Sequence, residues 1–371
     1  MTWRLFIARV RGDETLGQFE ADVETATRYI GKAGELSAKI EIPNEDVARR
    51  LLTCVGSEAS LSMYLAQGDL IWWGGLLDKD SISSDGGKLT VTLAGATFEG
   101  YLDRREARRN QYESIADQFV WARGMVIEAT GTPDSDIGLT IPDSGLSGVK
   151  RQLSFKDEDS TKWGAMLATM ANRADGFDWV IDVTGTPWER QRTLILAYPS
   201  LARPNGYTIP AAAVRSYTET RDRTAGATSW RIRGEAPEGS SGTDVPAPMS
   251  DVFDATDILA AGGLRTDKTV TRQGMSIKAN LDADAAHLRD TMNGSTRLLD
   301  VTCDLEAIDP GILGAYVRVR LVDLMHPALE DGTPTLDQVR RCIGYTIKPA
   351  KRGEKDTAQL LFEEPTDAEE G

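Results

Sequence analysis

Apolar and polar residues alternate strictly over 36–42, where Leu36, Ala38, Ile40 and Ile42 are separated by Ser37, Lys39 and Glu41. A period of two predicts a half-buried strand, and Pro43-Asn44 closes it. Strands are also expected from Leu5 to the Val10 region, over Ser60 to Leu65, and over Asp69 to Leu77, so the first hundred residues read as strands. The last of these runs carries Gly74-Gly75 at its centre, where glycine marks a bulge or a bend, as at a barrel corner. Ser84-Asp85-Gly86-Gly87 turns the chain, and Leu89, Val91 and Leu93 alternate beyond it. Together they predict a hairpin in a small barrel or sandwich.

The period changes after Tyr101. Tyr112, Ile115, Ala116, Phe119 and Val120 recur at helical spacing and predict an amphipathic helix. A second helix is expected from near Asp159 or Ser160, either of which could cap it, with Trp163, Leu167, Met170 and Ala171 as its stripe and Gly176 as its stop. Trp179, Ile181 and Val183 then pair with Leu194, Leu196 and Tyr198 across a Thr184-Gly185-Thr186-Pro187 turn. Strand pattern returns over 214–236, with Trp230 and Ile232 on one face. Leu281, Ala285, Leu288 and Met292 mark a helix ending at Gly294. Leu299 to Leu305 and Val317 to Leu321 alternate, and a final hairpin runs from about Arg341 to Phe362.

The fold class is therefore α+β and mostly β: two related small β-barrel domains, an inserted α/β domain and a helix-containing segment. Residues 1–101 form the first barrel, completed by 205–236, and 102–204 are the insertion. The Pro-, Gly- and Ser-rich stretch 237–250 is a linker. The helical segment and second barrel occupy 251–364, and 365–371 are an acidic tail. An internal echo supports the duplication. Aligning Gly75 with Gly344 sets Ile71 to Lys79 against Arg341 to Lys348, each ahead of a glycine turn and a returning strand.

Charge and rare residues narrow the chemistry. The 371 residues carry 42 Lys and Arg against 57 Asp and Glu, a net −15. Such a chain is ill suited to duplex DNA, whose condensed counterions must be replaced by cations, and to stable binding of anionic membranes. Two histidines and three cysteines, without CxxC or HExxH, disfavour zinc and a disulfide scaffold. Arg4 and Arg9 interrupt the amino-terminal apolar run too early for a signal-peptide core, so a soluble chain made in the cytosol is expected. No cofactor is implied.

Each conspicuous residue has a plain reading. His326-Pro327 reads as a turn, and His287 as a surface or interface residue on a helix. Cys54, Cys303 and Cys342 sit among apolar neighbours and read as core. Acid clusters at Asp157-Glu158-Asp159, Asp78/Asp80 and Glu363-Glu364 could supply two carboxylates for glycoside hydrolysis, yet none lies in a catalytic motif. Trp72-Trp73 should point to opposite faces of a strand, one into the core and one into an inter-subunit or inter-domain contact. Arg104, Arg105, Arg108 and Arg109, interleaved with acids, read as an ion-pair face or subunit contact rather than a phosphate patch.

The sequence Gly68-Asp69-Leu70-Ile71-Trp72-Trp73-Gly74-Gly75, the segments Val91 to Leu102 and Arg341 to Ile347, and the return through Trp230 to Glu235 resemble the tail-hub proteins of long-tailed bacteriophages. The similarity is to tail-tip or baseplate-hub proteins, especially minor tail proteins of actinobacteriophages. The resemblance implies a structural virion protein without enzymatic activity, assembled in the host cytoplasm into a homotrimeric ring at the tail tip. Such a ring joins the tail tube to the tip and gates DNA, which is met only in transit. Its expected partners are the distal tail protein ring, the tape measure protein and other tail-tip proteins. Relatives with cell-wall activity carry a long C-terminal extension, whereas this chain ends just past the second barrel. A hexameric distal tail protein and a glycan-binding or glycan-hydrolysing tail protein are the alternatives. Interface candidates are Trp72, Trp73 and the four arginines, with Gly74, Gly75 and Gly344 as hairpin bends.

Overall fold

The amino-terminal alternation produces the strands it predicts. The computed structural model describes residues 2–363 except 57–58, 109–110, 113–114, 153, 156, 158–159, 223, 225, 235–245, 273–274, 276, 294–295 and 351–353. Strands β1 (Arg4–Arg9), β2 (Thr15–Glu20), β3 (Asp22–Tyr29) and β4 (Glu35–Glu41) precede helix α1 (Glu45–Val55). Then come β5 (Leu61–Gln67), β6 (Leu70–Asp85) and β7 (Lys88–Thr97). Helix α1 breaks the expected all-strand stretch. Asn44, which reads as a strand terminator, is also an N-cap: its side chain accepts the Val47 N–H at 3.0 Å. Glu45 and Asp46 favour the helix dipole, and Leu51 and Cys54 are buried.

The next block holds α2 (Glu99–Leu102), β8 (Gln111–Tyr112), β9 (Ala116–Asp117), α3 (Gln118–Thr130), β10 (Leu139–Thr140), β11 (Lys150–Arg151), β12 (Ser154–Phe155), α4 (Trp163–Ala171), β13 (Asp178–Gly185) and β14 (Arg190–Ala197). The first predicted helix begins later than its apolar spacing suggests. Asp117 caps α3 by accepting the Phe119 N–H at 2.8 Å, and the same carboxylate takes N–H groups from Ser147 and Gly148. Ile115 and Val120, placed on the expected stripe, are exposed. Helix α4 starts at Trp163, beyond Ser160, without a side-chain cap, while Asp159 lies outside the described residues. Trp163, Leu167 and Met170 are buried as expected. Strands β13 and β14 pair as read, with Ile181 opposite Leu194 and Trp179 opposite Leu196.

The remainder comprises β15 (Arg203–Ile209), β16 (Val214–Asp222), β17 (Ser229–Arg233), β18 (Phe253–Asp254), α5 (Thr256–Ala260), β19 (Asp267–Thr271), α6 (Lys278–Thr291), β20 (Thr296–Asp304), β21 (Ala315–Leu321), β22 (Leu336–Lys348) and β23 (Thr357–Phe362). Thirteen strands form one hydrogen-bonded sheet made of two sets with the same order. The first runs β3-β4-β7-β6-β5-β1, with β2 beyond β1, and the second runs β16-β20-β23-β22-β21-β15. Antiparallel pairing of β22 with β3 joins them.

This order corrects one expectation. Segment 205–236 does not complete the first set: β15 pairs with β21 and β16 with β20, and β17 forms a separate sheet with β18 and β19. Ile209 and its partner Val319 are both fully buried in the second set, so apolar burial ties the segment there. The described end of the expected linker is also held: Gly234 donates to the Pro248 carbonyl and Ser250 to that of Ile232. The acidic tail 365–371 lies outside the described residues.

Three cores follow. The largest takes Leu36, Ala38 and Ile40 from β4 together with Leu299, Val301 and Cys303 from β20. A second packs Phe6, Tyr64, Ile71 and Leu76 of the first set against Phe119, Trp121, Leu167 and Trp179 of the block. A small third core holds Ile232, Met275, Leu281 and Ala285. No helix among the described residues is long and apolar enough to cross a membrane.

Candidate assembly surface

Trp72 and Trp73 do not face opposite ways. β5 and β6 pair as Leu65 to Trp73 and Ala66 to Ile71, so Trp72 is the extra residue of a bulge. A bulge breaks the alternation and turns consecutive side chains to one side. Both indoles are buried in the largest core, at 2% and 0% exposure, which removes a sugar-stacking platform. Trp72 meets Tyr345 of the other strand set edge-on at 6.0 Å, and the Tyr345 hydroxyl donates to the Trp72 carbonyl at 2.6 Å. Trp72 is therefore a contact between the two halves of one chain.

The three glycines are close-approach positions. None has a left-handed backbone. The bulges fall beside them, at Trp72, Asp78 and Ile343. A Cβ on Gly75 would lie 2.1 Å from the Ala96 carbonyl oxygen, and one on Gly344 would lie 2.5 Å from the Tyr29 ring. Hydrogen-bond register also revises the echo. Counting from the bulges, Gly344 corresponds to Lys79 rather than to Gly75.

A buried polar seam that has no sequence motif crosses the β3–β22 junction. Arg28, 4% exposed, donates to Asp182 of β13 at 3.3 Å and to the Ile181 carbonyl, and Arg203 reaches the same carboxylate at 2.7 Å. Burial pushes the Asp182 carboxyl up, but Arg28 and Arg203 outweigh it and hold it below the usual range. Glu99 accepts the Ile181 N–H at 2.8 Å, and burial raises its pKa despite Arg28. Arg341 binds Asp178 and Glu363. These partners lie far apart in sequence, so only the fold brings them together.

The arginine cluster is a mixed-charge hollow. Arg104 pairs with Asp78 at 2.5 Å, and Arg105 donates to the Ala129 carbonyl at 3.2 Å. With Glu106, Arg108, Glu128 and Trp163 they line a cavity of about 350 Å³. Glu106 and Glu128 interleave with its three arginines. Arg109 lies outside the described residues.

The other candidate groups are not brought together into a catalytic constellation among the described residues. His326 lies 3.8 Å from Glu219 in a loop, and His287 is exposed on α6. All three cysteines are free and buried, and burial raises the Cys303 and Cys342 thiols to about 12. Asp78 and Glu363 are held by arginines, and Glu158, Asp159 and Glu364 lie outside the described residues. No group of three metal-ligating side chains occurs among the described residues. The surface feature that sequence reading missed is the β21–β22 connection, where Leu324 is 100% and Met325 82% exposed. Asp323 braces it, accepting N–H groups from Met325 and His326 and the Tyr217 hydroxyl. The signal was an apolar pair inside a polar turn.

No protein-family model matches the sequence, and no curated protein does. Solved structures share its fold over nearly the whole chain. The 43 kDa tail protein of prophage MuSo2 from Shewanella oneidensis is 11% identical with a TM-score of 0.62, covering 99% of this chain and 100% of that one. A tail protein from Neisseria meningitidis MC58 is 13% identical with a TM-score of 0.59, covering 98% and 97%. The E. coli c3393 protein, a type VI secretion component described as similar to the T4 tail proteins gp27 and gp5, is 11% identical with a TM-score of 0.51, covering 98% and 77%. The fold expected from the hub-protein resemblance is therefore the fold this chain has.

Proposed function

We propose that the chain is a structural phage tail protein, the hub at the tail tip, acting as a homotrimeric ring without enzymatic activity. The observation that carries the proposal is the repeated strand order, six strands in the same sequence in each half. Three copies would present six related units, the number needed to mate with a sixfold tail ring. The likeness in fold to tail proteins supports the same reading. In the particle, the hub sits between the distal tail ring and the tip, meets the tape measure protein, and passes DNA without holding it. The net −15 suits that passage, because a negative wall repels phosphate. The domain division is kept in amended form: two β units, with 102–204 set into the first and 227–292 beside the second. Arg104, Arg105 and Arg108 rim a contact with neighbouring tail proteins.

Sedimentation equilibrium of the purified full chain tests the reading. Three chains per particle are expected. Six would favour a distal tail ring, and a monomer at micromolar concentration would overturn the assembly.

A further inference from the structure

The strand register predicts how one copy joins the next. In the first set, Ala38 of β4 pairs with Leu93 of β7; in the second, Val301 of β20 pairs with Leu360 of β23. All four side chains are buried, so these pairs are equivalent positions of one design. Past the bulge at Asp78, β6 pairs Lys79 with Ala94; past the bulge at Ile343, β22 pairs Gly344 with Leu361. Lys79, Asp80, Ser81 and Ile82 therefore correspond to Gly344, Tyr345, Thr346 and Ile347. On the other flank, Ala26 of β3 pairs with Leu36, and Glu219 of β16 pairs with Leu299. Residues 26–29 therefore correspond to 219–222.

Within the chain, these equivalents are joined on one side only. β22 pairs with β3 as Gly344 to Tyr29, Tyr345 to Arg28, Thr346 to Thr27 and Ile347 to Ala26. Their counterparts make no such strand-to-strand junction among the described residues. Beyond Leu76, β6 pairs with β7 alone, and β16 pairs with β20 alone, among the described residues. Residues 78–85 of β6 are exposed on both faces and form the edge of the β3-β4-β7-β6 sheet. Neither edge carries a proline, so each is a template for another strand.

We propose that β6 of one copy pairs antiparallel with β16 of the next, repeating between chains the β22–β3 junction made inside each chain. This rests on the ring assembly proposed above and names the surfaces that make it. The transferred register sets Lys79 opposite Asp222, Asp80 opposite Arg221, Ser81 opposite Thr220 and Ile82 opposite Glu219. Read as sequence, the first two positions each set a base against an acid, which cross-strand pairing favours. Lys79 and Asp80 make no ion pair among the described residues, so they remain available for this contact. Because the two edges differ, the contact is head-to-tail, and each copy offers one of each, as a closed ring requires.

Cysteine pairing in the full chain tests this. Two variants carry Ser81→Cys with Thr220→Cys, or Asp80→Cys with Arg221→Cys. Adjacent register positions alternate between wide and close pairs, and the close one brings Cα atoms to about 4.5 Å, within disulfide reach. The native cysteines are all buried and do not compete. Mild oxidation followed by denaturing electrophoresis should give linked chains from at least one pair. Each single variant, and an out-of-register control of Ile82→Cys with Asp222→Cys, should give essentially none. An assembled particle whose in-register pairs do not link would overturn the strand pairing and leave the hub reading standing. Equal linking of the control would overturn the register. A chain that sediments as a monomer would remove both the pairing and the ring.

Discussion

Asp182 shows how much of this protein depends on residues without a motif. It is 6% exposed and holds two guanidinium groups from different elements. Replacing it with Ala would leave Arg28 buried and uncompensated, so Asp182→Ala should cost about 3–5 kcal/mol in urea unfolding. Its lowered pKa gives a signed pH dependence. The stability it contributes is present above its unfolded value, about 3.9, and is lost as pH falls through the lower folded value. Glu99 acts in the opposite sense: its raised pKa means a contribution present below about 4.3 and lost as pH rises through the folded value. Glu99→Gln should therefore unfold at higher urea than the unsubstituted protein near neutral pH, with the advantage shrinking toward pH 4. An advantage that grew on acidification would reverse the assignment. The sequence could not reveal this pair, because a charged residue in a strand looks the same whether its partner is solvent or a carboxylate 154 residues away. The cysteines were legible, because their apolar neighbours already implied burial.

At the scale of elements, legibility followed periodicity. β4, β13 and β14 were clear because a period of two survives wherever one face is buried. Failures came where a single polar residue overrode the period. Asn44 began α1 after seeming only to end a strand, and Asp117 delayed α3 past the apolar spacing that suggested its start. Trp72 and Trp73 were misplaced because a bulge breaks the alternation and depends on the partner strand. The glycines beside these bulges yield a sharp test. A methyl on Gly75 would meet the Ala96 carbonyl oxygen at 2.1 Å and the Thr97 Cα at 2.7 Å, both backbone atoms of β7 that cannot step aside. Gly75→Ala should separate β6 from β7 and cost at least about 3 kcal/mol in stability. A thermal midpoint unchanged from the unsubstituted protein would mean that β7 yields and the packing is loose.

The whole molecule is not equally stable throughout. The two strand sets share one large core across the β22–β3 junction, and the α/β block shares a second with the first set. The module of β17, β18, β19 and α6 stands apart, with four residues in its buried core, Ile232, Met275, Leu281 and Ala285. Asp284 ties it to the block by accepting the Ala174 N–H at 3.0 Å, and it also lies 3.2 Å from Arg272, just past the end of β19. Regions with little buried apolar area open locally before the global transition. Amides of β17, β19 and α6 should therefore exchange hydrogen faster than those of β4, β7 and β23 under native conditions. Asp284→Ala should accelerate the module further while leaving β4 and β7 at their original rates. That split is what distinguishes local opening from general destabilisation, which would raise exchange everywhere together. If the module's amides instead matched β4 in protection, its small core would be part of one cooperative unit. The chain would then unfold only as a whole.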